Sequence, residues 1–307
     1  MSVTVVEVNN LRKKYGEVTA VNGISFRIEE GEIFGFLGPN GAGKTTTINM
    51  LTGLARPTSG QIMIAGFDAV KAVKRAQRMM GVVADVSNLY EEMNGFDNLC
   101  FCAALYGMRK KEREQRARQL LDEFQLTGAG DRPFRAYSKG MRRKLTIAAA
   151  LIHQPKILFL DEPTTGIDVA SARQIRKMIT DLKKQGTTVF LTTHYLEEAE
   201  RICDRIAFLV KGKIVRTGTV ADLMTNSGNE HRLELVLDRN ISQQSEAEFK
   251  QRFPGLYLQN RGENTCRLVA PHRIALSPVL RYLEEQGLAV YEAREVRPSL
   301  EDVFVQI

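Results

Sequence analysis

Hydrophobic residues in this chain fall into two kinds of pattern. Short runs are apolar at nearly every position: Ile33-Phe34-Gly35-Phe36-Leu37, Met80-Gly81-Val82-Val83-Ala84, Ile157-Leu158-Phe159-Leu160 and Thr188-Val189-Phe190-Leu191-Thr192-Thr193. A strand covered on both faces reads this way, so each run predicts a buried strand. Other segments carry apolar residues at helical spacing. Ile175, Met178, Ile179 and Leu182 share one face of a helix that Gly186 stops. Strands alternating with helices over 3–86 and 155–220 predict an α/β core. Between 87 and 154 the pattern is mostly helical. Ala104-Leu105-Tyr106-Gly107 ends an apolar helix, 110–124 is a charged amphipathic one, and Ser138 is a good N-cap for a helix through 142–148. Beyond Asn226-Ser227-Gly228-Asn229, which reads as a linker, the pattern changes again. Strands at 232–237, 257–260, 265–269 and 290–296 alternate with helices at 243–253 and 275–286. The order βαββαβ predicts a small, ferredoxin-like α+β unit over 225–307. Pro298 stands near the start of a last short helix.

The first apolar run leads into Gly38-Pro39-Asn40-Gly41-Ala42-Gly43-Lys44-Thr45, a full match to G-x-x-x-x-G-K-[ST]. Thr46 and the residues to Leu51 suit a helix opening. Strand, glycine loop and helix form the context in which this motif holds a polyphosphate. Glycines let the backbone turn its N–H groups onto phosphate oxygens, and the helix N-terminus adds partial positive charge. Lys44 is expected to reach the β- and γ-phosphates, and the Thr45 hydroxyl to ligate Mg²⁺.

The third run ends in Asp161-Glu162, so both acids emerge at a strand's carboxyl end, where open α/β sheets bind ligands. Asp161 fits a carboxylate that holds Mg²⁺, and Glu162 one that polarises the attacking water. Pro163-Thr164-Thr165-Gly166-Ile167-Asp168 follows directly. His194 ends the fourth run, ahead of the helix-like Leu196-Glu197-Glu198-Ala199-Glu200. An imidazole there can bond a γ-phosphate and order the water with Glu162. His153, His231 and His272 have no such setting and receive no role.

With Tyr137-Ser138-Lys139-Gly140-Met141 added, the chain resembles the nucleotide-binding subunit of an ATP-binding cassette (ABC) transporter over about residues 3–220. Walker A spans 38–46, the signature 138–141 and Walker B 157–162; the D-loop centres on Asp168, and His194 is the switch histidine. The resemblance implies an α/β P-loop NTPase that binds ATP and Mg²⁺, with a cassette over 1–224 whose 87–154 segment is a helical insert. It implies two cassettes packed head to tail, so that Ser138, Lys139, Gly140, Met141 and Asp168 face a second copy and Ser138 and Gly140 complete its ATP site. Tyr15 falls where the family stacks an aromatic on adenine; from the residues alone it is an ordinary strand-end tyrosine. A tail ending like Ser299-Leu300-Glu301-Asp302-Val303-Phe304 resembles that of ATPases paired with ABC-2-type exporters, which implies export through a separate membrane permease.

Two positions depart from the family pattern. Lys139 replaces the first signature glycine, and either adds charge toward the phosphate or points to solvent. Asp85 ends the stretch 80–85, which aligns with the strand at whose end the family carries a glutamine that contacts Mg²⁺ and water. It is shorter but a hard oxygen donor, and is expected to take over the metal or water contact. Leu89, Tyr90, Met93 and Phe96, just beyond it, either meet the permease's coupling helix or pack inside the insert.

Composition narrows the alternatives. A net charge of +7 suits polyphosphate or an anionic membrane face. No aromatic-rich basic patch of the single-strand-binding kind is present, so no nucleic-acid partner is expected. No apolar run approaches the ~20 residues of a membrane helix. No secretory signal opens the chain, and the four cysteines show no metal spacing. These point to a cytoplasmic protein, peripheral on the membrane through its permease. The competing class, a soluble ABC ATPase acting on ribosomes or nucleic acid, fits poorly with one cassette and a short insert.

Overall fold

The computed structural model describes residues 3–225, 231–262, 264–296 and 299–305. Its elements begin with β1 (Thr4–Tyr15), β2 (Val18–Glu29), β3 (Ile33–Leu37), α1 (Lys44–Leu51), β4 (Ser59–Ile64), β5 (Phe67–Asp68), α2 (Val73–Arg78) and β6 (Met80–Val83). The helical segment follows as α3 (Gly95–Leu105), α4 (Lys110–Glu123) and α5 (Lys139–Ala150). Next come β7 (Ile157–Asp161), α6 (Val169–Lys184), β8 (Thr188–Thr193), α7 (Leu196–Ile202), β9 (Arg205–Val210), β10 (Lys213–Thr219) and α8 (Val220–Thr225). The remainder is β11 (His231–Leu237), α9 (Gln243–Arg252), β12 (Tyr257–Gly262), β13 (Thr265–Ala270), α10 (Leu276–Glu285), β14 (Val290–Val296) and α11 (Leu300–Val305). Contacts divide the chain into two compact units, up to Val220 and from Ala221 on.

In the first unit the four apolar runs form the sheet that positions the site. Its order is β10-β9-β3-β8-β7-β6, parallel from β9 to β6, with β10 antiparallel. Every residue of β3, β7 and β8 is buried, as expected for strands covered on both faces. Parallel register brings the carboxyl ends together: Leu37 pairs with Thr193, and Asp161 with Thr192. The Phe190 ring lies between 5.4 and 6.1 Å from those of Phe26, Phe34, Phe36 and Phe159. Phe26 belongs to β2, so this aromatic cluster also joins a second sheet to the first.

That second sheet corrects the expectation of simple strand–helix alternation over 3–86. It is four-stranded and antiparallel, in the order β2-β1-β4-β5. Its two-residue period is hard to read because β1 is irregular: Asn10 has φ 47, and the pairing register shifts between Val8 and Leu11. The run starting at Met80 is also shorter than expected. β6 stops at Val83, which leaves Ala84 and Asp85 in the following loop.

The helical insert is held by local capping. Asn94 caps α3 by accepting from Asp97 N at 2.7 Å. Asn98 is fully buried and donates to the carbonyls of Tyr90, Met93 and Asn94, which folds the preceding loop onto α3. The four candidate contact residues therefore divide. Leu89 is buried, Met93 and Phe96 are half-buried, and Tyr90 is exposed with its ring edge-on to Phe101 at 5.1 Å.

The second unit is an antiparallel sheet in the order β12-β13-β11-β14, with α9 and α10 in the crossover connections. This is the ferredoxin-like arrangement. Its core is built from Leu235, Leu268, Phe249, Val279 and Tyr282, and the Tyr282 hydroxyl donates to Ser245 O at 2.6 Å. The predicted linker at 226–229 and the predicted role of Pro298 lie outside the described residues.

Candidate active site

The glycine loop between β3 and α1 has little choice of residue. A Cβ on Gly38 would sit 2.1 Å from Leu209 O, and Gly43 has φ +107 with Ala20 O in the way. Lys44, buried to 6% exposure, curls back over this loop. Its ammonium donates to Gly38 O at 2.7 Å and Pro39 O at 3.3 Å, and lies 3.3 Å from Glu162 Oε1. α1 opens with Lys44, Thr45 and Thr46, without an acid in its first turn to compete for an incoming anion.

Glu162 stands just past β7 at φ 47, an uncommon conformation for a residue with a side chain. Its N–H is taken by both the Thr192 carbonyl (3.2 Å) and the Thr192 hydroxyl (3.1 Å). The same hydroxyl donates to Asp161 Oδ1 at 2.5 Å, so one threonine fixes both acids. On the side-chain end, Glu162 Oε2 accepts from Thr165 Oγ1 at 3.0 Å and lies 2.8 Å from His194 Nδ1. Glu198 braces the hydroxyls of two neighbouring threonines. It is buried, which raises its carboxyl above the ordinary range, and it accepts from Thr164 at 2.7 Å and Thr193 at 3.0 Å.

Asn40, Gly41, Gly43, Lys44, Thr45, Thr46, Asp85, Asp161, Glu162, Thr165 and His194 line one cavity of about 390 Å³. Most of the predicted site is thus brought together by the fold. Asp85 takes part from a loop rather than a strand end. Its side chain is mostly exposed, and Oδ1 is 3.6 Å from Arg143 Nη2.

Other predicted residues do not line this cavity. Tyr15 is half-exposed at the end of β1, with the Lys13 ammonium 4.6 Å from its ring. Ser138 caps α5, accepting from Met141 N at 3.3 Å, and Lys139 beside it is exposed. Asp168 caps α6 through Ser171 N at 2.9 Å, and that bond holds its carboxyl below the usual range. Gly140 is buried within its own chain, where an added Cβ would lie 2.4 Å from Ser171 Oγ. Packing of α6 against α5 therefore requires glycine there before any ligand does.

Three contributors escaped sequence reasoning. Thr165 stood next to the acids without a role. Thr192 carried a signal, being polar in a fully buried strand. Arg143 carried none: it is one of several basic residues in a basic helix, and only packing buries it to 8% exposure.

The oxygen donors fit a hard cation such as Mg²⁺. Thr45, Asp161 and Asp85 are all hard donors on one cavity. Among the described residues no three His, Cys, Asp or Glu side chains are gathered to hold an ion by themselves. Mg²⁺ commonly keeps waters and takes phosphate oxygens, so a sparse protein donor set suits it.

Comparisons with known proteins point to one family. A family model described as ABC transporter matches residues 21–165. The daunorubicin resistance ATP-binding protein DrrA3 of Streptomyces coeruleorubidus is 36% identical over 307 residues, covering 100% of this chain and 96% of that protein. The linearmycin resistance ATP-binding protein LnrL of Bacillus subtilis is 39% identical over 76% of this chain and 75% of its own. A solved ATP-binding subunit of an ABC transporter superposes with TM-score 0.66 at 31% identity, over 72% of this chain and 92% of that one. An ATP-binding cassette solved as a dimer in a post-hydrolysis state with ADP and Pi superposes with TM-score 0.64 at 27% identity, over 70% of this chain and 98% of that one.

Proposed function

Because the chain belongs to the ATP-binding proteins of ABC transporters, we propose that its cavity hydrolyses ATP at the interface of two copies and so powers export through a separate membrane permease. One observation carries the reading: the P-loop, Asp161, Glu162 and His194 share a single cavity, with Glu162 held by Lys44, His194 and Thr165.

In this mechanism the P-loop N–H groups and the α1 N-terminus receive the phosphates. Lys44 exchanges its contacts with Gly38 O, Pro39 O and Glu162 for phosphate oxygens. Glu162, released from that ion pair, accepts a proton from the attacking water, and His194 orients both water and γ-phosphate. Thr192 and Thr165 keep the carboxylate aimed. Mg²⁺, when bound, neutralises phosphate charge; Thr45 and Asp161 would hold it, with Asp85 in place of the family's glutamine. Ser138, Lys139, Met141 and Asp168 meet a second copy, and Tyr15 stacks on adenine.

Export is supported by the relatives, which are resistance ATP-binding proteins for daunorubicin and linearmycin. No helix among the described residues is long and apolar enough to cross a membrane, so the transport path is assigned to a partner. That partner places the cassette on the inner face of the membrane, with exposed Tyr90 among its contacts. Co-purification with a multi-span membrane protein supports this reading, and stable association with ribosomes or DNA sinks it.

The direct test is Glu162→Gln. Hydrolysis is expected to fall on the order of 10²–10⁴-fold, while ATP drives the variant into a long-lived dimer seen by size-exclusion chromatography with light scattering. A variant that binds ATP yet stays monomeric refutes the sandwich.

A further inference from the structure

We infer that Arg143 is a positioning residue that ties each chain's signature helix to its own catalytic carboxylate, so that closure on one ATP is registered at the other. The inference rests on the sandwich reading above, and deepens it.

Arg143 lies on α5, the helix capped by Ser138, and its guanidinium is buried. Nη1 donates to Ala84 O at 2.7 Å. Nη2 donates to Asp85 O at 3.0 Å and to Glu162 O at 3.4 Å. One planar fork thus joins three elements: the signature helix, the loop after β6 and the residue after β7. Burying a guanidinium is costly, and three carbonyl acceptors with the nearby Asp85 and Asp161 carboxylates offset that cost.

The grip on Glu162 is complete at the backbone. Its N–H is held by Thr192 on β8, and its C=O accepts from Thr165 N at 3.2 Å and, across the fold, from Arg143 on α5. At φ 47 this peptide is strained and stays in place only because its surroundings over-determine it. A displacement of α5, such as a phosphate bound at Ser138 would cause, therefore reorients the Glu162 peptide and its carboxylate. Gly140 strengthens the linkage by seating α5 directly on Ser171 of α6. A lysine keeps the charge at 143 but lacks the fork that reaches two loops at once.

The test uses the full chain, with ATPase activity measured against ATP concentration for wild type, Arg143→Lys and Arg143→Ala, alongside ATP-driven dimerisation and thermal midpoints. Arg143→Lys is expected to lower kcat at least about tenfold, because small misplacements of a catalytic group cost rate steeply. It leaves KM within about twofold, reduces the Hill coefficient toward that of independent sites, and keeps a near wild-type thermal midpoint. Arg143→Ala reproduces the kinetic loss if it folds; Arg143→Lys carries the test if it does not. Wild-type kinetics in Arg143→Lys overturn the inference. So does a loss of kcat that tracks a lowered thermal midpoint with cooperativity intact, since that marks a fold brace. A wild type that hydrolyses ATP only as a monomer overturns the sandwich reading itself, and this inference with it.

Discussion

In the first unit a cluster of polar side chains gathers at one edge of the sheet. Asp161 ends β7 beside Thr192 on β8, Glu162 and His194 follow those two strands, and Lys44 and Arg143 reach in from helices. In the second unit they are dispersed. Glu234 sits mid-strand on β11 between Arg267 and Arg294, and Tyr282 bonds Ser245 across two helices. Strand direction explains the difference. A parallel sheet delivers every strand's carboxyl end to the same edge, where the loops accumulate side chains of different chemistry. An antiparallel sheet sends alternate strands to opposite edges, and its cross-strand pairs hold the sheet together. The first arrangement makes a site; the second makes a brace.

The sharpest way to break that comparison is at the glycine loop. Gly38→Ala forces a Cβ to within 2.1 Å of Leu209 O, so the loop must move. Nucleotide affinity, read by fluorescent ATP analogue titration, is expected to fall by at least about tenfold. Retained affinity would show that the loop's close approach to β9 is incidental.

Next in size is Thr192→Val, which keeps the shape of a fully buried residue and removes its hydroxyl. Asp161 loses a donor and the Glu162 N–H one acceptor. The thermal midpoint is expected to drop by an amount equivalent to about 1–3 kcal/mol, with hydrolysis impaired more than ATP binding. Equal losses in both would reduce Thr192 to packing.

The second unit supplies the contrast. Tyr282→Phe removes one buried bond, at about 1 kcal/mol, and is expected to leave ATPase activity within about twofold. A large loss of activity would mean that the second unit contributes to the site, against the division drawn above.

The smallest effect concerns acid. His153 stacks on Tyr106 at 3.6 Å, its Nε2 bonds Met80 O, and burial lowers its pKa below the ordinary 6.5. The unfolded chain then takes up the extra proton, so the stabilising contribution is present above pH 6.5 and is lost as pH falls through the lowered value. Thermal midpoints of wild type and His153→Gln are expected to converge from pH 7.5 toward about pH 5.5. Parallel curves would place the acid sensitivity elsewhere.

Much of this protein was determined by local sequence. The apolar runs became β3, β7 and β8, and the glycine loop opened α1. Ser138 became a helix cap, and the C-terminal pattern became a ferredoxin-like antiparallel sheet with two crossover helices. These succeed because periodicity, caps and phosphate loops depend on neighbours along the chain. What tertiary structure alone decided depends on neighbours in space. The antiparallel sheet of β1, β2, β4 and β5 has bulged strands that hide their period. Leu89 turned inward while Tyr90 stayed out. Gly140 proved to be demanded by Ser171, 31 positions away in sequence. Arg143 became a buried fork between two loops because α5 packs across the strand ends. No local pattern distinguishes it from the basic residues beside it; only the fold sets which of them leaves water.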